Sequence, residues 1–323
     1  MLKYIFKRIV SLIPVALIIS VLLFGLFKAM PGDPIRAMVP ESIKDPVEIE
    51  RVYQEIRSAY GYDKPIPVQY VRWVSRLAQG DLGNSTTYKR PVAMVIKEPL
   101  KNSVILNIFS ITLSFLVAIP IGIKSAVKRG SKFDNFWQVF TLIGLSVPTF
   151  FIAMILIFTF AIKLSILPIG SMPMKGTGGI AYWLRFGRHL VLPVATLTIG
   201  SLASTTRYVR NAMIDVLNQD YIRTARSKGL SSKVVIYQHA FRNALIPIVT
   251  LLAGSLVAVF GGSMITESIF AWNGIGYILQ QAITNKDYNI VLAMNMFYAI
   301  IALLANLLMD LGYALVDPRV KLD

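Results

Sequence analysis

Long stretches without charge divide the chain, and six of them can cross a lipid bilayer as helices, which takes about 20 apolar residues. These six windows are Ile9–Phe27, Asn102–Ile123, Asn135–Ile162, His189–Thr206, Asn243–Thr266 and Tyr288–Met309. A seventh uncharged stretch, Ser268–Asn285, contains Asn, Gln and Gly and is predicted to be an external or re-entrant segment. The pattern predicts an all-α polytopic membrane protein with six transmembrane helices.

The first window follows Lys3, Lys7 and Arg8, as the core of a signal peptide would. It is too long for the apolar h-region of a typical signal peptide, and it lacks a small-x-small cleavage site. We interpret residues 1–28 as a retained N-terminal transmembrane helix.

Composition agrees with a membrane location. Hydrophobic residues make up 55% of the chain and charged residues 15%, against about 25% charged in soluble proteins. The net charge is +16, but Lys and Arg flank the apolar windows, which is typical of topology control and lipid headgroup contact. No nucleic-acid partner is therefore expected. The chain has no Cys and two His, His189 and His239, each predicted to lie at a helix end, so no metal site is expected.

The positions of Lys and Arg predict the orientation. They concentrate before the first window, after the second, after the fourth, and in the tail at residues 316–323. All four places fall on one side if six spans alternate, and that side is the cytoplasm by the positive-inside rule. The sequence therefore predicts cytoplasmic N- and C-termini in a multi-pass inner or plasma membrane protein.

Residues 29–100 form a long segment on the opposite side, predicted to be a small, mainly helical extracytoplasmic insertion. Asp45 and Glu48 have the spacing of a helix cap and capping box around Pro46. A second helix is predicted over Val68–Ala78 and a third from Pro91. With residues 268–285, the segment is predicted to form a docking surface for another protein. Its aromatic side chains are Tyr53, Tyr60, Tyr70, Trp73 and Trp272.

Several function classes lack their sequence signals. There is no G-x-x-x-x-G-K-[ST] phosphate-binding loop and no convincing nucleophilic triad. We therefore predict no catalytic residue and no bound cofactor, and the chain is not an enzyme by itself. Ionisable residues are rare in the windows, which disfavours an ion-coupled secondary carrier. Glu267 and Asp310 lie at window edges and are predicted to be solvated there.

The most basic loop, residues 220–249, lies between the fourth and fifth windows. Asp220 can cap a helix that starts at Tyr221, and Gly229 can end it with a positive φ. Ser231 or Ser232 can cap a second helix, Lys233 to Phe241. The pattern predicts a compact knob, in which the small Ala225 permits close approach to another surface. An amphipathic helix lying on anionic lipid is the alternative.

Short motifs along the chain carry a family resemblance. "RTARSKG" (Arg223–Gly229) resembles the "EAA---G" loop of ABC importer permeases, and "DYIRTARSKGL…HAFRNALIP" is similar to the peptide subfamily. The other motifs are "MPGDP" (Met30–Pro34), "GDLGNS" (Gly80–Ser85), "SVPTF" (Ser146–Phe150), "ESIFAWNGIGYIL" (Glu267–Leu279) and "DPRV" (Asp317–Val320). Together they resemble the B-type permease of the oligopeptide/dipeptide/nickel ABC importer family over nearly the whole chain.

The loop departs from the general pattern near its start and in the later I-x-L-P element, where the chain has His239-Ala240-Phe241-Arg242. Arg223 and Thr224 stand where the pattern has Glu and the first Ala, while Ala225 and Gly229 match it. These departures are usual for the peptide subfamily. They put in doubt any role that needs the Glu.

The resemblance implies a type I ABC importer permease fold, with a core permease domain at residues 101–315. It implies four kinds of partner: a homologous C-type permease, two ABC ATPase subunits that use ATP and Mg, an extracellular solute-binding protein, and the lipid bilayer. The basic loop would then hold the coupling helix, seated in an ATPase groove. The coupling residues would be Tyr221, Arg223, Thr224, Ala225, Lys228, Gly229 and Leu230.

The resemblance also places the solute passage at the interface with the second permease. Residue type suggests lining residues, although Ser and Thr also commonly bond between membrane helices. The candidates are Ser146, Thr149, Ser201, Thr205, Ser255 and Ser263, with Pro148 and Pro247 as hinges. Oligopeptides or dipeptides are the expected solutes. Nickel and oligosaccharides are alternatives within the class, and an ion-coupled carrier or a membrane scaffold is the alternative outside it.

Overall fold

The structure, a computed structural model, describes residues 2–29, 33, 35–40, 42–173 and 179–316. Most of Met30–Pro34, all of Asp317–Val320 and all of the predicted tail except Val316 lie outside these residues. The described chain is helical apart from its loops and an isolated antiparallel bridge between Asn84 and Pro91. The α-helices are α1 Leu2–Ala29, α2 Pro46–Ala59, α3 Ile66–Ala78, α4 Val92–Val127, α5 Lys132–Ser146, α6 Thr149–Leu156, α7 Ile180–Leu217, α8 Asp220–Ser227, α9 Ser232–Val234, α10 Arg242–Gly261, α11 Met264–Ile269, α12 Ile275–Thr284 and α13 Tyr288–Val316.

Five helices in the described residues are long and apolar enough to cross a membrane, and a bent pair supplies a sixth crossing if it counts as one span. Each predicted window has a counterpart among them. The spans are Phe6–Ala29, Val92–Val127, Ile180–Leu217, Ser232–Gly261 and Tyr288–Leu307, with the bent pair Lys132–Ser146 and Thr149–Lys163.

The uninterrupted apolar pattern of the third window suggested one helix, but the structure has two. The two halves of the window meet at 103°, and the break falls at Pro148, which has no N–H to continue the first helix. Val147 before it is extended, with φ −83° and ψ 123°, because a proline ring excludes the helical region from the preceding residue. The second half, α6, continues as a π-helical turn, Ile157–Lys163.

The fourth helix is longer at both ends than its apolar window. α7 begins at Ile180 rather than at His189, so His189 is an interior residue of the helix and the prediction of a helix-end position was wrong. Its Nδ1 lies 3.0 Å from the Gly170 carbonyl oxygen. Nearby, the Arg188 guanidinium donates to the Ile166 carbonyl over 2.8 Å. Charged residues can extend a membrane helix where their side chains find such partners outside the apolar core.

The chain divides into two compact units, and the first contains residues 1–100 and 278–304. The predicted cap of α2 is confirmed, since the Asp45 carboxylate accepts from the Val47 N–H at 3.0 Å. α3 packs on α1 through aromatic rings, with the Phe24 centroid 5.6 Å from both Tyr70 and Trp73. The insertion is thus anchored to the first apolar helix.

A loop of the first unit is fixed to the start of α13. The Asp287 carboxylate is fully buried and accepts from the Ser85 hydroxyl and from the Thr87 N–H. The Asn289 amide donates to the Asn84 carbonyl over 2.7 Å. These bonds explain why a polar Gly-rich segment, "GDLGNS", keeps a defined shape.

The second unit contains residues 101–277 and 305–323, and α5, α6, α10 and α11 all pack on α7. Phe270 and Trp272 are buried in one of its apolar clusters with Leu106 and Phe186. The Trp272 indole N–H donates to the Asn102 carbonyl over 3.2 Å. The prediction that Trp272 belongs to an outer docking surface was therefore wrong, because this ring fills the core of its own unit.

Candidate functional site

The basic loop begins with a short helix, α8, whose start differs from the sequence prediction. Its N-cap is Gln219, with no side-chain cap bond, so Asp220 is the first helical residue and not the cap. The Asp220 carboxylate instead lies 3.5 Å from the Arg223 guanidinium, one turn along. A carboxylate in the first turn still favours the helix through the macrodipole.

The end of α8 matches the prediction for Gly229, which has φ +75°. The Leu230 N–H bonds to the Ala225 carbonyl at 3.4 Å, and the Gly229 N–H bonds to the Arg226 carbonyl at 2.9 Å. These two bonds form a Schellman motif, which satisfies carbonyls that a helix end would otherwise leave free. Any side chain at Gly229 would cost about 1–2 kcal/mol in this left-handed conformation.

The second predicted helix is not a separate element. Ser231 is the N-cap of α9, without a side-chain cap bond. The chain then continues through a π-helical turn, Val235–Phe241, into α10, which makes Ser232–Gly261 one membrane-length helix. α8 therefore ends five residues before the base of a membrane-length helix.

Ala225 faces inward. It is 6% exposed and Ile222 is fully buried, and both belong to an apolar cluster with Val209, Met213 and Val235. The prediction that Ala225 allows close approach to a second protein was wrong. Ile222 and Ala225 are three residues apart and therefore share one face of α8. The small side chain of Ala225 lets that face pack closely on its own chain.

The exposed side of α8 and the turn that follows it carry the remaining predicted coupling residues. Tyr221 and Leu230 are large and exposed, at 44% and 41%, and Arg223, Thr224 and Lys228 are exposed beside them. Aromatic, aliphatic and cationic side chains on a rigid helix are a common composition of protein-binding surfaces.

A buried ion pair ties the neighbouring helices together. The Asp134 side chain, in the first turn of α5, is fully buried and accepts from the Arg210 guanidinium of α7 at 2.7 and 2.8 Å. The same carboxylate accepts from the Gly130 N–H at 2.9 Å. Sequence reasoning missed this pair and treated Arg210 only as a topology-setting cation, because nothing local relates it to Asp134.

Most of the predicted passage-lining hydroxyls bond to their own helix. Ser146, Ser201, Thr205 and Ser255 each donate to a carbonyl three or four residues earlier. Thr205 is 6% exposed and contributes almost no surface to a passage in this conformation.

The other two predicted lining residues sit at helix starts. Thr149 is half-buried in the first turn of α6, close to Gly200 of α7. Ser263 is the N-cap of α11, and its N–H donates to the Glu267 carboxylate.

The two predicted hinge prolines differ. Pro148 is the N-cap of α6 and marks the 103° bend between α5 and α6. Pro247 lies inside α10, which continues through it. A large bend therefore accompanies Pro148, whereas Pro247 sits in α10 after the π-helical segment that ends at Phe241.

Glu267 is fully buried, so the prediction that it is solvated was wrong. It accepts from the Ser103 hydroxyl at 2.6 Å, the Tyr277 N–H at 3.0 Å and the Ser263 N–H at 3.2 Å. Burial raises the pKa of this carboxyl, and the donors partly offset that rise. The carboxylate joins the α11–α12 segment to α4.

Close packing around Glu267 explains the Gly-Ile-Gly sequence that follows it. A Cβ at Gly274 would lie 2.5 Å from the Glu267 carboxyl and the Ser103 hydroxyl. A Cβ at Gly276 would lie 2.6 Å from the Met264 backbone nitrogen. Because glycine has no Cβ, Gly274 and Gly276 allow these neighbouring groups of the same chain to approach the backbone closely.

Two families cover the chain. The binding-protein-dependent transport system inner membrane component family matches residues 118–322. The N-terminal family of the same transport membrane components matches residues 1–116.

Named relatives match over the full length. The chain is 36% identical over 324 residues to the oligopeptide transport system permease protein AppB of Bacillus subtilis, covering 99% of this chain and 100% of that protein. It is 36% identical over 321 residues to the glutathione transport system permease protein GsiC of Pectobacterium atrosepticum, with 99% of each covered.

Among solved structures, the chain is similar to one from the MetNI methionine ABC transporter in inward-facing conformations. The TM-score is 0.52 at 18% identity, over 69% of this chain and 97% of that one. This likeness concerns the fold alone.

Proposed function

The chain belongs to the family of binding-protein-dependent transport system inner membrane components, and we propose that it is a permease subunit of an ATP-driven importer of peptides. Full-length similarity to permeases named for oligopeptide and glutathione transport supports the solute class. Both names describe short peptides. The relevant family partners are a second, homologous permease, two ATPase subunits that use ATP and Mg, and an extracellular binding protein.

One observation carries the coupling proposal: one face of α8 is exposed, and the opposite face is buried against the rest of the chain. Ile222 and Ala225 fix it to the cluster with Val209 and Met213, and the Schellman bonds fix its end. A rigid element transmits a displacement to its neighbours, whereas a loose loop absorbs it. We propose that the face with Tyr221, Lys228 and Leu230 contacts an ATPase subunit.

Movement of α8 would reach the membrane helices by two routes. One is the continuous helix Ser232–Gly261, which starts five residues after α8 ends. The other is the apolar cluster to which both α8 and α7 contribute, and the ion pair of Arg210 with Asp134 links α7 to α5. In this proposal the bend at Pro148 lets α5 and α6 move as separate segments while the passage opens.

Thr224→Arg distinguishes ATPase seating from the alternative that α8 lies on anionic lipid. Thr224 is exposed on α8 and bonds only within the helix, so the fold should persist. Bulk at a protein contact should lower solute uptake about tenfold or more, since about 1.4 kcal/mol is tenfold in an equilibrium. Uptake and co-purification of the ATPase are measured on the same membranes.

Asn135→Arg is the matched control, because it adds a cation at another exposed position, near the start of α5. It should transport normally. If α8 lies on lipid, the extra cation in Thr224→Arg should strengthen membrane contact and leave uptake and ATPase binding intact. That result would exclude α8 as the coupling element.

We also propose that the insertion of residues 29–100 faces the cell exterior and that both termini are cytoplasmic. The chain has no Cys, so a single introduced thiol reports its own location. Ser58→Cys, exposed on α2, should react with an impermeant maleimide in intact cells. Ser232→Cys, exposed at the start of α9, should react only after lysis. The reverse pattern would invert the topology.

A further inference from the structure

An aromatic-walled cavity of about 90 Å³ lies within the first unit and is used by none of the functions above. Its wall includes Phe24 and Phe27 from α1, Tyr62 from the loop after α2, and Trp73 from α3. These rings hold α1 and α3 together, with Phe24 and Trp73 centroids 5.6 Å apart. The cavity is therefore part of a packed junction and is not an open loop crevice.

Cations outnumber acids around this cavity. Lys28, Arg72 and Arg76 line it, with Asp81 as the acidic residue of the lining. Among the described residues, none of the three cations forms an ion pair within 4.0 Å. The Lys28 ammonium lies 3.8 Å from the Tyr62 ring centroid, which restricts where that charge can move. Asp33 lies within electrostatic reach of Lys28, and Asp63 within reach of Arg72. Neither of these described acids pairs with the three cations, and Asp63 pairs with Lys64 instead. Positive charge is therefore in excess at the site, which suits an anion.

The position of α1 indicates which anion is available. Lys28 and Phe27 lie in the last turn of the span Phe6–Ala29, where the apolar stretch ends. Only 11% of that span's apolar window is buried, so its sides are open to acyl chains. Lipid phosphates and aromatic anchors occupy this level of a membrane.

α3 adds an apolar surface to the same region. Val68 and Val71 lie on one face of the helix and are exposed, at 41% and 65%, while Arg72 and Arg76 lie one turn apart beside them. An apolar face beside cations is typical of a helix in the headgroup region of a bilayer. A soluble protein surface would match the charges but would not explain this apolar face.

We propose that the cavity binds the phosphate of an anionic phospholipid, with Lys28, Arg72 and Arg76 as its cations and the acyl chains along α1. Arginine recognises phosphate through paired N–H groups, and the ammonium adds a point charge. The bound lipid joins α1 to α3 and stabilises the insertion on its membrane helix.

The test uses the whole transporter complex, purified in a neutral detergent and titrated with phosphatidylglycerol, with bound lipid counted by native mass spectrometry. The double variant Arg72→Gln/Arg76→Gln alters two exposed side chains, so folding should be preserved. Its lipid affinity should fall roughly 20- to 30-fold, since each cation near a lipid headgroup contributes about fivefold. Arg51→Gln, which removes an exposed cation of α2 away from the cavity, should bind lipid as the parent does.

Three outcomes would overturn the proposal. Equal phosphatidylglycerol affinity in the double variant and the parent would show that these cations hold no lipid. Displacement of the lipid by millimolar inorganic phosphate would show a site for free anions. Weaker binding of the extracellular binding protein with unchanged lipid affinity would assign the cations to an acidic protein surface.

Discussion

Replacing Arg210 with Met will destabilise the chain by about 3–5 kcal/mol, because it leaves the Asp134 carboxylate buried without its counter-charge. The Asp134 side chain is fully buried and takes two of its bonds from Arg210. The Gly130 N–H and the Gln138 amide remain as donors, which is too little to hold an isolated charge. The melting temperature of the purified protein should fall on the order of 10 °C.

Two variants test the cause of that loss. Arg207→Met removes an exposed cation three residues earlier on α7 and should change stability by less than about 0.5 kcal/mol. Asp134→Asn/Arg210→Gln keeps the shape and an acceptor for Gly130 without net charge, and should recover most of the loss. If Arg210→Met and Arg207→Met have the same melting temperature, the ion pair contributes nothing to the stability of the fold.

Replacing Glu267 with Ala will cost roughly 4 kcal/mol, from orphaned buried donors and from a cavity. The donors are the Ser103 hydroxyl and the Tyr277 and Ser263 N–H groups. Glu55→Ala, at a 66% exposed side chain, is the matched control and should be near neutral. Thermal unfolding measures both, and equal melting temperatures would contradict the role assigned to Glu267.

The same residue predicts a pH dependence. Burial raises the pKa of Glu267 in the folded chain, so the folded state keeps this proton at pH values where the unfolded state has lost it. Stability from this group is complete below the ordinary Glu range and is lost as pH rises through the raised pKa. The Gln side chain of Glu267→Gln cannot titrate. The parent should therefore lose stability relative to this variant as pH rises from the ordinary Glu range through the raised pKa. Parallel stability curves would show that the carboxyl is not shifted.

Local patterns were enough to predict several elements correctly. The six apolar windows follow from side-chain composition alone, because a span needs only sufficient length without charge. The Asp45 cap and the positive φ of Gly229 follow from neighbours a few residues away. Pro148 was predicted as a hinge, since a proline interrupts a helix and the residue before it avoids the helical region, but the size of the bend was not predicted.

The face of α8 that points into the core follows from the spacing of residues along the helix. Ile222 and Ala225 are three residues apart, which places them on one face, whereas Arg223 and Lys228 point elsewhere. The sequence could thus have shown that Ala225 faces the core. It could not have shown which core, because Val209 and Met213 of α7 meet α8 only in the folded chain.

Sequence alone determined which stretches can cross a membrane, the cap of α2, the positive φ that ends α8 and which loop is basic, since these depend on residues close together along the chain. Tertiary structure decided which polar groups are buried. Asp134 and Arg210 are 76 positions apart, and Ser103 and Glu267 are 164 apart. Whether a charge at a window edge faces water or a partner depends on which distant donor packs against it, and packing over such separations leaves no local trace.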